Sequence, residues 1–304
     1  MLSASNGDDS TEGRKLAARI AGGDMTDRDR YYNRAKQEGY RARSAYKLQQ
    51  LDETAGLLGE GNTVVDLGAA PGGWLQVAAE RVGERGTVVG VDRQRIDPLE
   101  DPDATVEYVR GDLTEDDTVD DVVERVGGEA GGDTGGGDGA SAGGGSGQRG
   151  GPVEVVLSDM APNMTGEYDL DHARSVHLAR QALAVAEQVL APGGDLAVKV
   201  FDGQDLADLE ADLEAEFEYV RQVRPDASRD SSSELYLVAK GYLTAPVREG
   251  DQLAVEIVDT GSEGDGVAKV EGYTLFVSGV EEGETVTVRV DEVKPNYGFA
   301  QPVQ

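Results

Sequence analysis

A lysine stands in the middle of an apolar run, "LAVKVF", at position 199. The chain carries only seven lysines against twenty-one arginines, and an ammonium withdrawn from water is costly. Either Lys199 lies along a solvated face with its stem on apolar neighbours, or it is held there for chemistry. Three further groups can share that chemistry. Asp159 opens the irregular loop "DMAPNMTG" after "VEVVLS", Glu234 opens the last apolar run, "ELYLVAKG", and Lys47 lies in "RSAYKL".

A second set of residues suits a ligand. "VVDLGAAPGGW", residues 64–74, runs from a strand through an aspartate and a small-residue loop into a helix start. Its glycines, Gly68, Gly72 and Gly73, let backbone amides approach a ligand at the C-terminal edge of a strand. The spacing is not that of a dinucleotide fingerprint, and the Lys-Ser/Thr of a P-loop is missing. Asp92 ends "VVGVD", where a carboxylate accepts from ribose hydroxyls, and Asp112 in "VRGDL" can accept from an adenine amino group. With Asp66, that makes a carboxylate at each of three successive strand ends. Such a set suits a nucleoside carrying a positive sulfonium better than one carrying a pyrophosphate. Aspartate also favours loop starts and caps, which accounts for one of the three comfortably and for all three less well.

The elements that must position these groups alternate along the chain. "RSAYKLQQLDETAGLL" has helical periodicity with its N-cap near Ser44. Strands follow at "TVVDL", "GTVVGVD", "TVEYVRGD" and "VEVVLSDM", separated by helices at "GWLQVAAERV" and "DDTVDDVVERV". A long helix, "DLDHARSVHLARQALAVAEQVL", precedes a Pro-Gly-Gly turn and the strand of Lys199. A helix and two closing strands, "EYVRQVR" and "SELYLVAKG", complete the series. Apolar, β-branched strands separated by helices predict an α/β fold, a mostly parallel sheet covered on both faces. Residues 1–27 read as a loose polar tail. Residues 127–151, with 14 glycines in 25 positions, read as a flexible insertion that cannot build a core. After Gly241 short alternating strands with glycine turns predict a small five-stranded OB-like barrel over 245–304.

Composition excludes several functions. With no cysteine there are no disulfides, thiolate nucleophiles or Cys-ligated zinc. His172 and His177, five apart, do not make an i, i+4 metal pair; both are expected on a helix surface, and no metal is expected. No run of about 18 apolar residues and no signal pattern is present, so a cytoplasmic protein without a membrane role is expected. The net charge of −31 ordinarily repels phosphates. An acidic, lysine-poor surface is also suited to concentrated salt, where the screening length falls to about 3 Å at 1 M. The local exception is residues 28–47, seven bases against two acids interleaved with Tyr31, Tyr32, Tyr40 and Tyr46, which suits an RNA backbone.

"RARSAYKL", "VVDLGAAPGGWLQV", "SDMAPNMTG", "LAPGGDLAVKVF" and "SRDSSSELYLVAKG" together resemble the FtsJ/RrmJ family of ribose 2′-O-methyltransferases over about residues 41–241. The resemblance implies a Rossmann-like class I methyltransferase, residues 28–241, using S-adenosyl-L-methionine. It implies a catalytic tetrad on Lys47, Asp159, Lys199 and Glu234, with Lys199 accepting the proton of the 2′-hydroxyl. A lysine shielded from water gives up its proton more readily, whereas neighbouring carboxylates oppose this, so base and orienting group both stay open. Cofactor contacts are implied at Gly72, Trp74, Asp92, Asp112 and Asp159. The implied substrate is a uridine in large-subunit (23S-type) ribosomal RNA, with the large ribosomal subunit as partner; a monomer is expected. A tRNA ribose methyltransferase and a non-catalytic RNA-binding assembly factor are the alternatives; the complete tetrad and cofactor loop speak against the second. A nicotinamide oxidoreductase is disfavoured by the glycine spacing. The barrel resembles a TRAM domain, whose aromatics Tyr273, Phe276, Tyr297 and Phe299 can stack bases. The chain departs from the compact, basic habit of the family in its acidity and its glycine-rich insertion, as expected of a halophilic archaeal form.

Overall fold

The computed structural model describes residues 30–127, 151–228, 232–261 and 264–303. The expected tail and nearly all of the glycine-rich insertion lie outside these residues. Seven strands form one sheet: β1 (Thr63–Leu67), β2 (Thr87–Asp92), β3 (Thr105–Arg110), β4 (Val153–Ser158), β5 (Leu190–Phe201), β6 (Phe217–Val223) and β7 (Glu234–Tyr242), in the order β3-β2-β1-β4-β5-β7-β6. β7 alone runs antiparallel to its neighbours. Strand order reverses at β1, which pairs in parallel with both β2 and β4. That reversal opens a crevice beyond their C-terminal ends.

The valine-rich central strands are buried on both faces because helices cover each side. On one side lie α2 (Ala45–Ala55) and α3 (Gly73–Val82), with Leu48, Leu51, Trp74 and Leu75 against the sheet. On the other lie α4 (Asp116–Gly127), α5 (Tyr168–Val189) and α6 (Leu206–Glu214). A short first helix, α1, covers residues 30–38.

Two local readings change. The Pro-Gly-Gly segment does not precede β5 but bulges out within it: Val153 and Val155 of β4 oppose Leu190 and Asp195, so the partner strand accommodates three extra residues. His172 is buried rather than on a helix surface. Its Nδ1 bonds to the Phe201 carbonyl at 2.8 Å and its Nε2 accepts from the Asp205 amide at 3.1 Å. The imidazole thereby ties α5 to the end of β5 and the start of α6. His177 is exposed as expected.

The C-terminal strands β8 (Gln252–Thr260), β9 (Gly266–Val270), β10 (Tyr273–Val277), β11 (Thr285–Val293) and β12 (Tyr297–Pro302) close into a barrel in the order β10-β12-β11-β8-β9. Alternate residues fill it, among them Ile257, Leu275, Val277, Val288 and Val290. The barrel follows β7 and rests at the N-terminal edge of the large sheet. There Arg248 donates to the Ala215 carbonyl at 3.0 Å, Lys294 pairs with Glu218 at 3.3 Å, and Thr244 donates to the Pro295 carbonyl at 3.1 Å. Among the described residues no helix is long and apolar enough to cross a membrane.

Candidate active site

Lys199 lies near the C-terminal end of β5, opposite Tyr236 of β7, and is only 7% exposed. Its Nζ donates to Asp159 Oδ1 at 2.8 Å and also to the Asp159 backbone carbonyl. Asp159 is placed for this by the end of β4, and its loop is pinned by Asp171. That buried carboxylate accepts from the Thr165 amide and hydroxyl at 2.8 and 2.9 Å and from the Gly166 amide at 3.0 Å. Burial pushes the Asp159 carboxyl up, but the charges of Lys199 and Lys47, with hydrogen bonds from Lys199 and Tyr236, outweigh it and hold the group below its ordinary value.

A second ion pair stands beside the first. Lys47 Nζ meets Glu234 Oε1 at 2.6 Å, with both side chains about nine-tenths buried (9% and 12% exposed). Ser228 Oγ donates to the same carboxylate oxygen at 2.9 Å. Lys47 is carried by α2, which the Gln50 side chain anchors by accepting from the Ala227 amide at 2.9 Å. Tyr236 joins the two pairs. Its hydroxyl donates to Asp159 Oδ1 at 2.7 Å and Lys47 Nζ lies 5.9 Å from its ring centroid. The structure therefore brings Lys47, Asp159, Lys199 and Glu234 into one cluster at the C-terminal edge. Reading the sequence passes over Tyr236 and Ser228. For Tyr236 the signal was available, since residues two apart in a strand share a face and Tyr236 follows Glu234 by two.

The loop after β1 closes against this cluster. Gly68 has a φ of +80°, and a Cβ there would come within 2.7 Å of Met160 Cγ in the Asp159 loop. Gly72, φ +107°, begins α3. The Trp74 indole is 2% exposed, donates to the Ser44 carbonyl at 2.8 Å and lies 5.7 Å from the Tyr236 ring. Its side chain therefore contacts protein, and it is the amide at the start of α3 that faces the loop. Asp92 Oδ2 accepts from the Ala70 amide at 3.0 Å and Oδ1 from the Gln94 amide at 2.7 Å. Asp112 accepts from the Thr114 amide and hydroxyl and pairs with Arg93 at 3.2 Å, which holds it below its ordinary value. Each Asp92 oxygen keeps a second lone pair for a ligand, whereas Asp112 Oδ1 already accepts twice and its Oδ2 is the oxygen paired with Arg93.

Asp66 is fully buried and neither carboxyl oxygen has a hydrogen-bond partner. Burial, with the nearby charges of Asp159 and Asp92, pushes it well above the ordinary carboxylate range. An orphaned carboxyl beneath a glycine loop, with Asp92 and Asp159 beside it, fits a cationic nucleoside.

The basic segment 28–47 divides. Arg41 turns inward and donates to the carbonyls of Pro71 (3.3 Å), Asp97 and Pro98, bracing the cofactor-side loops rather than facing RNA. Tyr40 donates to Glu80 and Tyr46 to Glu38, both at 2.8 Å. Arg30, Tyr32, Arg34 and Lys36 remain on the surface. In the barrel, Tyr273 is buried and donates to the Lys294 carbonyl at 2.7 Å, so it belongs to the core and not to a stacking surface. Among the described residues no group of three or more histidine, aspartate or glutamate side chains is placed to hold a metal ion.

Known proteins share this arrangement. Residues 40–242 match the FtsJ-like methyltransferase family and residues 246–303 the TRAM domain. The chain is 70% identical over 280 residues to the ribosomal RNA large subunit methyltransferase E of Haloarcula marismortui, covering 92% of this chain and all of that protein. The like-named protein of Methanosarcina mazei is 44% identical over 273 residues, covering 90% of this chain and 91% of that one. A ribosomal RNA methyltransferase of Plasmodium falciparum superposes with a TM-score of 0.53 at 26% identity, over 68% of this chain and all of the other. With two thirds of its length matched and relatives of such identity, the chain belongs to the FtsJ-like methyltransferase family and carries a C-terminal TRAM domain.

Proposed function

We propose that the chain transfers a methyl group from S-adenosyl-L-methionine to the 2′-hydroxyl of a uridine ribose in large-subunit ribosomal RNA, acting in the cytoplasm as a monomer. The observation that carries this reading is the buried Lys199–Asp159 pair, set at the crevice between β1 and β4 beside the glycine loop. When bound, S-adenosyl-L-methionine supplies an electrophilic methyl group on a sulfonium. Asp92 and Asp112 would accept from its hydroxyl and amino groups, and the backbone of Gly72, Gly73 and Trp74 would hold it.

Lys199 orients the nucleophile. Two of its N–H groups are committed to Asp159, which leaves one direction on the nitrogen for the ribose. As a neutral amine it keeps both bonds, and its lone pair takes the proton of the 2′-hydroxyl as oxygen bonds to carbon. As an ammonium it holds the hydroxyl oxygen in line. Either way Asp159 fixes the geometry. The Lys47–Glu234 pair presents a held cation to the ribose or its phosphate, and Trp74 and Tyr236 wall the cluster from water.

The test incubates the purified chain with large-subunit ribosomal RNA and methyl-labelled S-adenosyl-L-methionine. The expected product is one ribose protected from alkaline cleavage at its 3′ phosphodiester. Label on a base, or no label, overturns the reading; label confined to tRNA replaces the substrate while keeping the chemistry.

A further inference from the structure

Exposed apolar side chains gather beside the tetrad. Of the large hydrophobic residues exposed on the described methyltransferase domain, Met164, Tyr168 and Leu170 fall within seven positions, in the loop after Asp159 and the first turn of α5. Tyr168 is 56% exposed and Met164 64%. Both are nevertheless held by their surroundings. The Tyr168 hydroxyl donates to the Asp202 carbonyl at 2.5 Å, just past the end of β5. The Asp202 amide in turn donates at 2.7 Å to the carbonyl of Ser233, the residue before Glu234. Met164 stands between Asn163, whose carbonyl accepts from Arg174 at 3.5 Å, and Thr165, whose amide and hydroxyl both bond to Asp171. The tyrosine is thus tethered by its polar end while the apolar body of its ring stays in solvent. An aromatic side chain so fixed is ready to receive another ring.

We propose that Tyr168, with Met164 in the same loop, is the platform on which the base of the methylated nucleotide stacks; the proposal rests on a uridine 2′-hydroxyl being the methyl acceptor. Topology places it there. Lys47 approaches the tetrad from α2, on one face of the sheet, whereas Tyr168 opens α5, which covers the other face. Phosphate and base leave a ribose from different carbons. A sugar at Lys199 with its phosphate toward Lys47 can therefore send its base toward α5. The span fits, since Asp202 lies three residue steps beyond Lys199, about 10 Å along the chain, within reach of one nucleoside. Charge selects a base over a phosphate at this rim. Glu167 and Asp169, both exposed, flank Tyr168, and they repel a phosphate but not a neutral uracil. A base drawn out of its own stack recovers on an aromatic side chain part of what it lost.

The test compares the full chain with its Tyr168→Ala variant on two RNAs. One is a large-subunit ribosomal RNA fragment containing the methylated uridine. The other carries 5,6-dihydrouridine at that position, which keeps the hydrogen-bonding edge of uracil and loses its flat π-face. On the uridine RNA, kcat/KM of the variant is expected to fall on the order of ten- to a hundred-fold. On the dihydrouridine RNA, variant and wild type should transfer equally slowly, because ring and base form one contact and losing either removes it. Calorimetric binding of S-adenosyl-L-methionine should be unchanged, which also reports an intact fold. Tyr168→Trp should recover most of the transfer, and Tyr168→Leu, apolar without a ring, should not. Wild-type transfer by Tyr168→Ala on the uridine RNA overturns the proposal. So does an equal fold-loss on both RNAs, which would assign the tyrosine to the shape of the loop and not to the base. Failure of the wild-type chain to methylate the uridine RNA sinks the functional reading instead.

Discussion

The methyltransferase domain buries charge, with Lys47, Asp66, Asp195 and Lys199 all less than a tenth exposed. The barrel, among its described residues, buries none, and its interior is almost wholly aliphatic. Buried charge is expensive unless paired and hydrogen-bonded; Lys47 pairs with Glu234, Lys199 with Asp159 and Asp195 with Lys240, while the equally buried Asp171 is held by Thr165 and the Gly166 amide. Asp66 has no hydrogen-bond partner. The barrel is organised the other way round, with an aliphatic core and with Tyr297 and Phe299 exposed on its outside. A single interior change is therefore expected to act on activity in the first region and on stability in the second.

The sharpest way to break that contrast is at Lys199. Lys199→Ala removes the group proposed to face the reacting hydroxyl, and transfer is expected to fall by about 10²–10⁴-fold in single-turnover assays. Binding of S-adenosyl-L-methionine, followed by calorimetry, should stay within a few-fold, because none of its expected contacts is removed. Lys199→Arg keeps a cation but has no accessible neutral form. Full activity in the arginine variant would exclude the base and leave only the orienting role.

Asp66 comes next, with a pH signature. Its carboxyl is raised in the folded protein by burial and by its acidic neighbours. The folded state therefore holds a proton that the unfolded chain has released. The associated stability is complete below the unfolded value of about 3.9 and is eroded as pH rises toward the folded value. Asp66→Asn has no proton to lose. The stability difference, variant minus wild type, should grow from pH 4 upward in urea titrations. A difference independent of pH would mean that the carboxyl is ionised or hydrated in place.

Tyr236→Phe is milder. It deletes one hydrogen bond to a carboxylate that Lys199 still holds. A loss of about 1.5–3 kcal/mol in unfolding free energy is expected, with a smaller drop in transfer than for Lys199→Ala. A drop as large as that of the lysine variant would make the tyrosine a direct partner of the substrate.

How much of this was legible in the sequence depends on the range of the interaction. Period-two alternation carries the strands, and in "YTLFV" it sets Tyr273 with Leu275 and Val277 inside and Phe276 outside. Applied strictly, it separates the outward aromatics from the core one. The tetrad residues stand on α2, in the loop after β4, on β5 and on β7; only a family resemblance, not spacing, could join elements so distant in the chain. Tertiary packing overrode local pattern at His172 and Arg41. The first is buried because the start of α6 folds over α5, and the second is drawn inward by carbonyls at positions 71, 97 and 98. Nothing within either residue's own helix or loop encodes those partners.

The smallest expected effect tests the junction between the two regions. Lys294 reaches both Glu218 of the sheet and Glu292 of its own barrel, at 3.3 and 2.9 Å, from a side chain about one-third exposed. Pairs so open to solvent contribute little and are screened by salt. Lys294→Ala should leave the thermal transition unsplit and its midpoint unchanged within error at 2 M KCl, with at most a slight shift in dilute buffer. Arg248 on the Ala215 carbonyl, Thr244 on the Pro295 carbonyl and the approach of Gly193 to Pro295 remain when that pair is lost. If the substitution instead split melting into two transitions at high salt, the junction would depend on an ion pair that screening should have silenced, and the barrel would have to be treated as rigidly coupled to the catalytic domain.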